Sequence, residues 1–257
     1  MSPARLWHIP ASHYNEKVRW ALELKGIEHE RRAPVMPAHI AAALWLTRGR
    51  SRTLPLLELD RRAIADSTKI IAALEHRYPD PPLYPADPEQ RRRALALEEH
   101  FDEQLGPYTR LLALHELRRE PEAIRDFAAT MLPGPLARSE VIRRLAGAGA
   151  GAYVHARYRV GDEEGAEHAR AKIVAAFDRL EAELAGGGGS YLVGDSFSVA
   201  DLTAACMFGP VVLPPEGPKL PEPVPAFERF RAGLRERPGF RWVAGTFARH
   251  RGAARRP

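Results

Sequence analysis

Apolar and polar positions follow two rhythms along the 257-residue chain. In roughly the first eighty residues short apolar runs alternate with amphipathic stretches; beyond about residue 90 the spacing is helical nearly throughout. RLWHI is a short run of aromatic and branched residues stopped by Pro10, which predicts a strand. Residues 14–25 set Val18, Ala21 and Leu22 on one side and Glu16, Arg19 and Glu23 largely on others, the pattern of an amphipathic helix. Gly26 follows as a suitable C′ stop. GIEHERRAPV reads as a weak second strand, and AHIAAALWL as a short helix with Ile40, Leu44 and Trp45 available for burial. TLPLLEL and RAIA read as strands joined by a polar turn at Asp60-Arg61-Arg62. STKIIAALEHRY then gathers Ile70, Ile71 and Leu74 on one helical face. The order β-α-β-α-β-β-α predicts a mixed sheet with helices against it. The closing hairpin and helix, with no glycine fingerprint after the first strand, separate it from a doubly wound nucleotide-binding domain.

A break comes at PDPPLYPADPEQ, Pro79 to Gln90, whose five prolines cannot continue a helix or a central strand. The predicted organisation is an α/β domain over 1–80, a proline-rich linker over 81–90 and an all-helical domain over 91–257. A long helical stretch follows the linker and bends near Gly106-Pro107. EAIRDFAATML, ARSEVIRRLAGA and EEGAEHARAKIVAAFDRLEAELA come next, and GGGGS at 186–190 reads as a flexible turn. FSVADLTAACMFG reads as a buried helix, with two last helices near PAFERFRAGLRE and RWVAGTFARHR. No internal repeat is visible.

Composition narrows the chemistry. With 45% hydrophobic and 28% charged residues the chain can build a packed core. A single cysteine, Cys206, rules out an intramolecular disulfide, a CxxC redox pair and a multi-cysteine zinc site; no metal is expected. It sits in the predicted buried helix and reads as a small core residue. A reducing cytoplasm fits this usage. MSPARLWHIP has no secretory h-region, and no apolar run approaches the ~18 residues of a membrane span. The net charge of +5 suggests nucleic acid only weakly, because basic residues are interleaved with acids, as in RRRALALEEHFDEQL. A solvated helix surface is expected, with neither nucleic acid nor membrane as partner. Arg249, His250, Arg251, Arg255 and Arg256 read as a frayed, solvated end.

Four motifs carry a resemblance: PASHYNEKVRWAL, TLPLLEL, IADSTKIIAALEHRYPDPPLYP and YLVGDSFSVADLTAA. Together with the α/β domain, proline-rich linker and helical domain, they resemble the cytosolic glutathione transferase superfamily along the whole chain. The resemblance implies a thioredoxin-like N-terminal domain, an all-α C-terminal domain, glutathione as co-substrate, an apolar electrophile between the domains and a homodimer.

Glutathione is a nucleophile only when ionised, and a free thiol has a pKa of about 8.5. Lowering it by two units requires roughly 2.7 kcal/mol. One hydrogen bond to a charged acceptor supplies about 1.5–3 kcal/mol and a helix N-terminus about 0.3–1 more. Ser12 stands where the serine-type branch of the family places its hydroxyl; as a plain N-cap it would also be favoured. Tyr14 is the runner-up donor, and Asn15 offers an amide N–H. His13 stands where many relatives have proline. No cysteine lies in this motif, so the mixed disulfide of reductase-like branches is excluded.

By the same resemblance Pro55 follows a cis bond, and the Leu54 N–H and C=O pair with the cysteinyl unit of glutathione. Asp66 and Ser67, also good caps, hold the γ-glutamyl end, with Asp66 one methylene shorter than the family's usual residue. Arg50 or Arg52 takes the glycyl carboxylate, in a segment, LTRGRSRT, that departs from the family's common form. His100, Phe101, Tyr108 and Leu111 are candidates for the wall of the electrophile site, and the sequence does not choose among them. Ser198 and Asp201 read as a structural capping box.

The leading expectation is a transferase joining glutathione's sulfur to an apolar electrophile. The alternatives are a glutathione-dependent isomerase, dehalogenase or ether-cleaving enzyme on the same site, and a weakly catalytic or non-catalytic binding protein on the same fold.

Overall fold

The structure, a computed structural model, describes residues 4–35, 38–129, 132, 134–158, 161–186 and 190–252. The middle of the predicted glycine turn and the last two tail arginines, Arg255 and Arg256, lie outside the described residues.

The N-terminal elements are β1 (Ala4–Trp7), α1 (His13–Leu24), β2 (His29–Arg32), α2 (Ala38–Leu46), β3 (Leu56–Leu59), β4 (Arg62–Ala65) and α3 (Ser67–Arg77). The sheet order is β2-β1-β3-β4. β1 and β2 are parallel, as a crossover through α1 requires. β3 runs antiparallel to both β1 and β4. Leu6, Val18, Leu22, Leu57, Ile70, Ile71 and Leu74 are buried between the sheet, α1 and α3. This is the expected thioredoxin-like arrangement.

Helices follow: α4 (Pro88–Gln104), α5 (Gly106–Leu117), α6 (Pro121–Ala129), α7 (Gly134–Ala137), α8 (Glu140–Tyr158), α9 (Glu163–Gly186), α10 (Val199–Val212), α11 (Pro225–Ala232) and α12 (Pro238–Thr246). A π-helical turn, Phe247–Arg251, closes the described chain. The bend read at Gly106-Pro107 is a full break, with α4 ending at Gln104. α10 is buried along its whole length and packs against α1, α4, α5 and α12.

Three readings are corrected. α2 buries His39 and Ala43, one turn apart, while Trp45 is 77% exposed; its inward face is rotated from Ile40, Leu44 and Trp45. Glu16 and Arg19, read as lying off the buried side of α1, are 1% and 4% exposed, because α10 and the C-terminal turn cover that face. Arg251, read as a solvated tail residue, is fully buried against Glu16 and Glu23. Next to it His250 stacks on Phe197 at 4.5 Å between centroids.

The segment between α3 and α4 is pinned in place. Lys25 Nζ donates to the carbonyls of Tyr78 and Pro81, each at 2.8 Å, and pairs with Glu75 at 2.5 Å. Glu75 in turn accepts from the N–H groups of Leu83 and Tyr84 at 3.0 and 3.2 Å.

The capping box forms at the start of α10. The buried Asp201 carboxylate accepts from Leu192 N at 2.8 Å, Ser198 N at 2.9 Å and the Ser198 hydroxyl at 2.8 Å. Asp201→Ala removes a cap and strands buried donors, so a loss of about 2 kcal/mol or more is expected. Urea unfolding of the variant reads this; an unchanged midpoint would contradict the structural role.

Candidate active site

The loop from His8 to Ser12 delivers the chain from β1 to α1. Ser12, in extended backbone conformation, is the N-cap of α1. Its Oγ accepts from Asn15 Nδ2 at 2.7 Å and, at 3.4 Å, from Asn15 N. Asn15 is fully buried. Its Oδ1 accepts from Ile9 N at 3.1 Å, which fixes the amide's orientation, since a backbone N–H can only donate. Nδ2 therefore faces Ser12 Oγ and, at 3.3 Å, the Leu54 carbonyl. Both amide hydrogens of Asn15 are thus in use. Ser12 uses its lone pairs as acceptor, and among the described residues its hydroxyl hydrogen has no acceptor.

The Tyr14 hydroxyl donates to the Asp102 carbonyl at 2.8 Å, and burial pushes its pKa up. Gly106, at the start of α5, gives Tyr14 room: a side chain there would collide with the phenol and with the Met207 sulfur. His13 turns inward, with Nε2 3.1 Å from the Gly106 carbonyl.

Leu54 and Pro55, both buried, stand just before β3, and the bond between them is cis. Leu54 is drawn toward α1 by the amide of Asn15. Asp66, exposed, is the N-cap of α3 with φ of 82°, a conformation that favours glycine. Its Oδ1 accepts from Thr68 N at 3.1 Å and Lys69 N at 3.2 Å. Ser67 is buried beside it in the first turn. Arg50 and Arg52 are exposed before β3; Arg50 Nε donates to the Thr47 carbonyl at 2.9 Å. Sequence reading set these groups on separate elements, and the sheet brings the β1–α1 loop, Leu54-Pro55 and the α3 mouth to neighbouring strand ends.

Of the four wall candidates, Phe101 is corrected. Phe101 is fully buried against Phe208, so it cannot line an open cleft. Tyr108 is turned to α9, edge-on to His168 at 5.4 Å. His100 and Leu111 are half-buried.

Three cations passed over in the sequence stand on or beside α1. Arg110 on α5 lies 5.6 Å from the Tyr14 ring centre. Arg19 Nη1 donates to the Ile9 carbonyl at 3.2 Å, and its Nη2 to Pro10 at 2.9 Å and Ser12 at 3.4 Å. Lys17 is buried between Glu98 at 2.8 Å and Asp102 at 3.0 Å. Burial works against its charge, but the two carboxylates outweigh it and raise its pKa. Thr68 Oγ1 donates to the same Asp102 oxygen at 2.9 Å, tying α3 to α4. The alternating charges of α1 were the signal: a helix with a sheet on one side and a second domain on the other has little solvated face for them.

The chain was compared with known proteins. The family model described as "Glutathione S-transferase, N-terminal domain" matches residues 6–82, and "Glutathione S-transferase, C-terminal domain" matches 163–244. No curated protein matches the chain significantly. Among solved structures, a maleyl pyruvate isomerase described as a bacterial glutathione S-transferase of the Zeta class is 23% identical, with a TM-score of 0.62 and 98% of each chain covered. Maleylacetoacetate isomerase from Anaeromyxobacter dehalogenans 2CP-1, with glutathione bound in its active site, is 23% identical at a TM-score of 0.60, covering 99% of this chain and 97% of that one. The beta-etherase LigF from Sphingobium sp. strain SYK-6 is 20% identical at a TM-score of 0.59, covering 93% and 98%. The fold is shared with all three. With both halves of the fold matched by family models, the chain belongs to the cytosolic glutathione transferase superfamily. Among the described residues no helix is long and apolar enough to cross a membrane.

Burial brings the pKa of both His8 and His13 to about 3. The Arg19 charge adds to the effect on His8 and that of Arg110 to the effect on His13, where the Gly106 carbonyl opposes it. An unfolded imidazole takes up a proton near pH 6.5, whereas these folded rings resist until far lower. Stability present above the unfolded value is therefore lost as pH falls from about 6.5 toward 3. Each ring is expected to cost up to about 2 kcal/mol between pH 7 and 5. Urea midpoints at the two pH values test this, with His8→Gln and His13→Gln each flattening the slope. A flat wild-type profile would contradict it.

Proposed function

We propose that this protein binds glutathione at the strand ends described above and lowers the pKa of its thiol by a hydrogen bond from Ser12, so that the sulfur attacks an apolar electrophile between the domains. The observation that carries the reading is the polarity of the Ser12–Asn15 pair. Ser12 receives hydrogen bonds from Asn15 and keeps its own hydrogen for an acceptor from outside the chain. A plain cap needs only the acceptor half of that arrangement. The Tyr14 hydrogen is committed to Asp102, and the Asn15 amide to Ser12 and Leu54, which favours Ser12 among the three candidates.

The remaining groups fit the tripeptide by their chemistry. Asp66 keeps its second carboxylate oxygen for an ammonium, and Ser67 with the α3 mouth suits a carboxylate. Leu54 keeps its N–H and one carbonyl lone pair for a peptide laid alongside. Exposed Arg50 and Arg52 suit the glycyl carboxylate. The chain's part in the reaction is to orient the thiol, stabilise its ionised form and exclude water around the developing bond. A homodimer in the cytoplasm belongs to the same proposal.

Isomerisation is the second reading. Two of the fold relatives are named as isomerases and one of these holds glutathione, and a thiol that adds and then leaves needs the same activation. Ether cleavage, as in the name of the third relative, would draw on it as well.

Ser12→Ala is expected to leave the glutathione Kd within about threefold and to lower turnover ten- to a hundredfold, the loss of one charge-assisted hydrogen bond. Calorimetry and steady-state kinetics read the two separately. Unchanged turnover would overturn the role of Ser12. Asn15→Asp keeps the shape but offers an oxygen where Nδ2 stood. The Ser12 hydrogen would turn to that oxygen, and turnover should fall about as far as in Ser12→Ala. An Asn15→Asp protein with wild-type turnover would contradict the assigned polarity.

A further inference from the structure

A ladder of alternating charges runs beneath α1. Arg31 on β2 pairs with Glu23, Glu23 with Arg251, Arg251 with Glu16, and Glu16 with Arg19. Only Arg251 comes from the far end of the chain, 235 residues from Glu16. Its Nε donates to Glu16 Oε1 at 2.6 Å, and Arg19 Nε donates to the other oxygen, Oε2, at 2.6 Å. Arg251 is fully buried, with its guanidinium 5.9 Å from the centre of the Trp20 ring. Trp20 also packs on Phe247, at 4.7 Å between centroids, in the same π-helical turn.

Arg19 spends its outer nitrogens on the thiol loop, reaching the carbonyls of Ile9, Pro10 and Ser12 and the His8 ring at 2.8 Å. The ends of that loop are held by other bonds, His8 N to the Arg32 carbonyl, Ile9 N to Asn15 Oδ1 and Glu16 N to the Ser12 carbonyl, with one turn bond from Ser12 N to Ile9 O, whereas Arg19 is the partner of the Pro10 carbonyl among the described residues. The carbonyls in the middle of the loop are thus gathered by the Arg19 guanidinium, which Glu16 holds from the other side. A buried carboxylate shared by two guanidiniums holds both in fixed directions. With Arg251 gone, the buried Glu16 carboxylate would lose one of the two guanidiniums that share it. Arg19, the other of the two, would shift toward the vacated oxygen and away from the loop carbonyls.

We propose that Arg251 is a positioning residue for the thiol site: acting through Glu16 and Arg19, the C-terminal turn holds the loop that presents Ser12. The consequence for catalysis rests on the reading of Ser12 as thiol donor, while the clamp on the loop does not. It links the last turn of the helical domain to the reacting end of the other domain without touching substrate.

The test uses the full chain with Arg251→Gln and Arg251→Lys, and Asp201→Ala as a control for general destabilisation. Amide hydrogen exchange of residues 9–15, in the ligand-free protein under native conditions, is read first. Arg251→Gln should speed exchange in that segment at least tenfold, with Arg251→Lys in between and Asp201→Ala at the wild-type rate. Turnover with glutathione and chlorodinitrobenzene follows. Here kcat of Arg251→Gln should fall about tenfold, while KM for glutathione stays within threefold and the lysine variant recovers part of the loss. A folded Arg251→Gln protein with wild-type exchange at 9–15 would overturn the clamp. If the glutamine variant does not fold, the lysine variant decides on the same segment: faster exchange supports the clamp and wild-type exchange overturns it. If the Ser12 reading alone fails, the exchange difference persists while Ser12→Ala keeps full turnover.

Discussion

Everything in this molecule turns on the docking of one short helix, α1, whose charged face is buried. The sheet takes its apolar side, and the helical domain covers the rest. Charges on a covered face must be paired, since an unpaired ion in such a place costs several kcal/mol. Here they are paired across the domains: Lys17 with Glu98 and Asp102 on α4, and Glu16 and Glu23 with Arg251 at the end of the chain. Such pairs add little net stability beside an apolar contact of the same shape, but removing one partner strands a buried charge, which costs several kcal/mol. Through them α1 is joined to α4 and to the C-terminal turn.

The proposed chemistry lies at the mouth of the same helix. Ser12 caps it, Asn15 one turn in directs the Ser12 lone pairs, and Arg19 on the next turn gathers the loop carbonyls. In the proposed mechanism a weak nucleophile's activation depends on one hydroxyl, so an error of an ångström in the loop would remove most of the benefit. Fixing that loop from a buried ion ladder makes its position a property of the whole fold. The groups that suit the γ-glutamyl end are tied in too, through Thr68, which shares Asp102 with Lys17.

Much of this was legible in the sequence, and the reason lies in periodicity. The order of strands and helices, the apolar faces of α1 and α3, and the capping box of α10 are local patterns, and each forms where its pattern lies. Ser12 at the mouth of α1 and Asp66-Ser67 at the mouth of α3 could be located from cap chemistry. What could not be read was which polar face is covered by something distant. Glu16, Arg19 and Arg251 look like solvated charges because their partners are assigned only by the tertiary fold. For Asn15 the same holds: its three bonds reach Ile9, Ser12 and Leu54, and only the first two lie nearby in sequence. Trp45 shows the opposite error, since an aromatic residue in an apolar run reads as core while the fold leaves it outside.

The most direct test of the account is the ionisation of glutathione on the wild-type protein, followed by ultraviolet difference absorbance of the thiolate as pH is varied under saturating protein. If Ser12 donates its hydrogen to the sulfur at the mouth of α1, the bound thiol titrates one to two units below the free value of about 8.5. Bound glutathione that titrates at the free value would contradict the account, leaving a fold that holds the peptide without activating it.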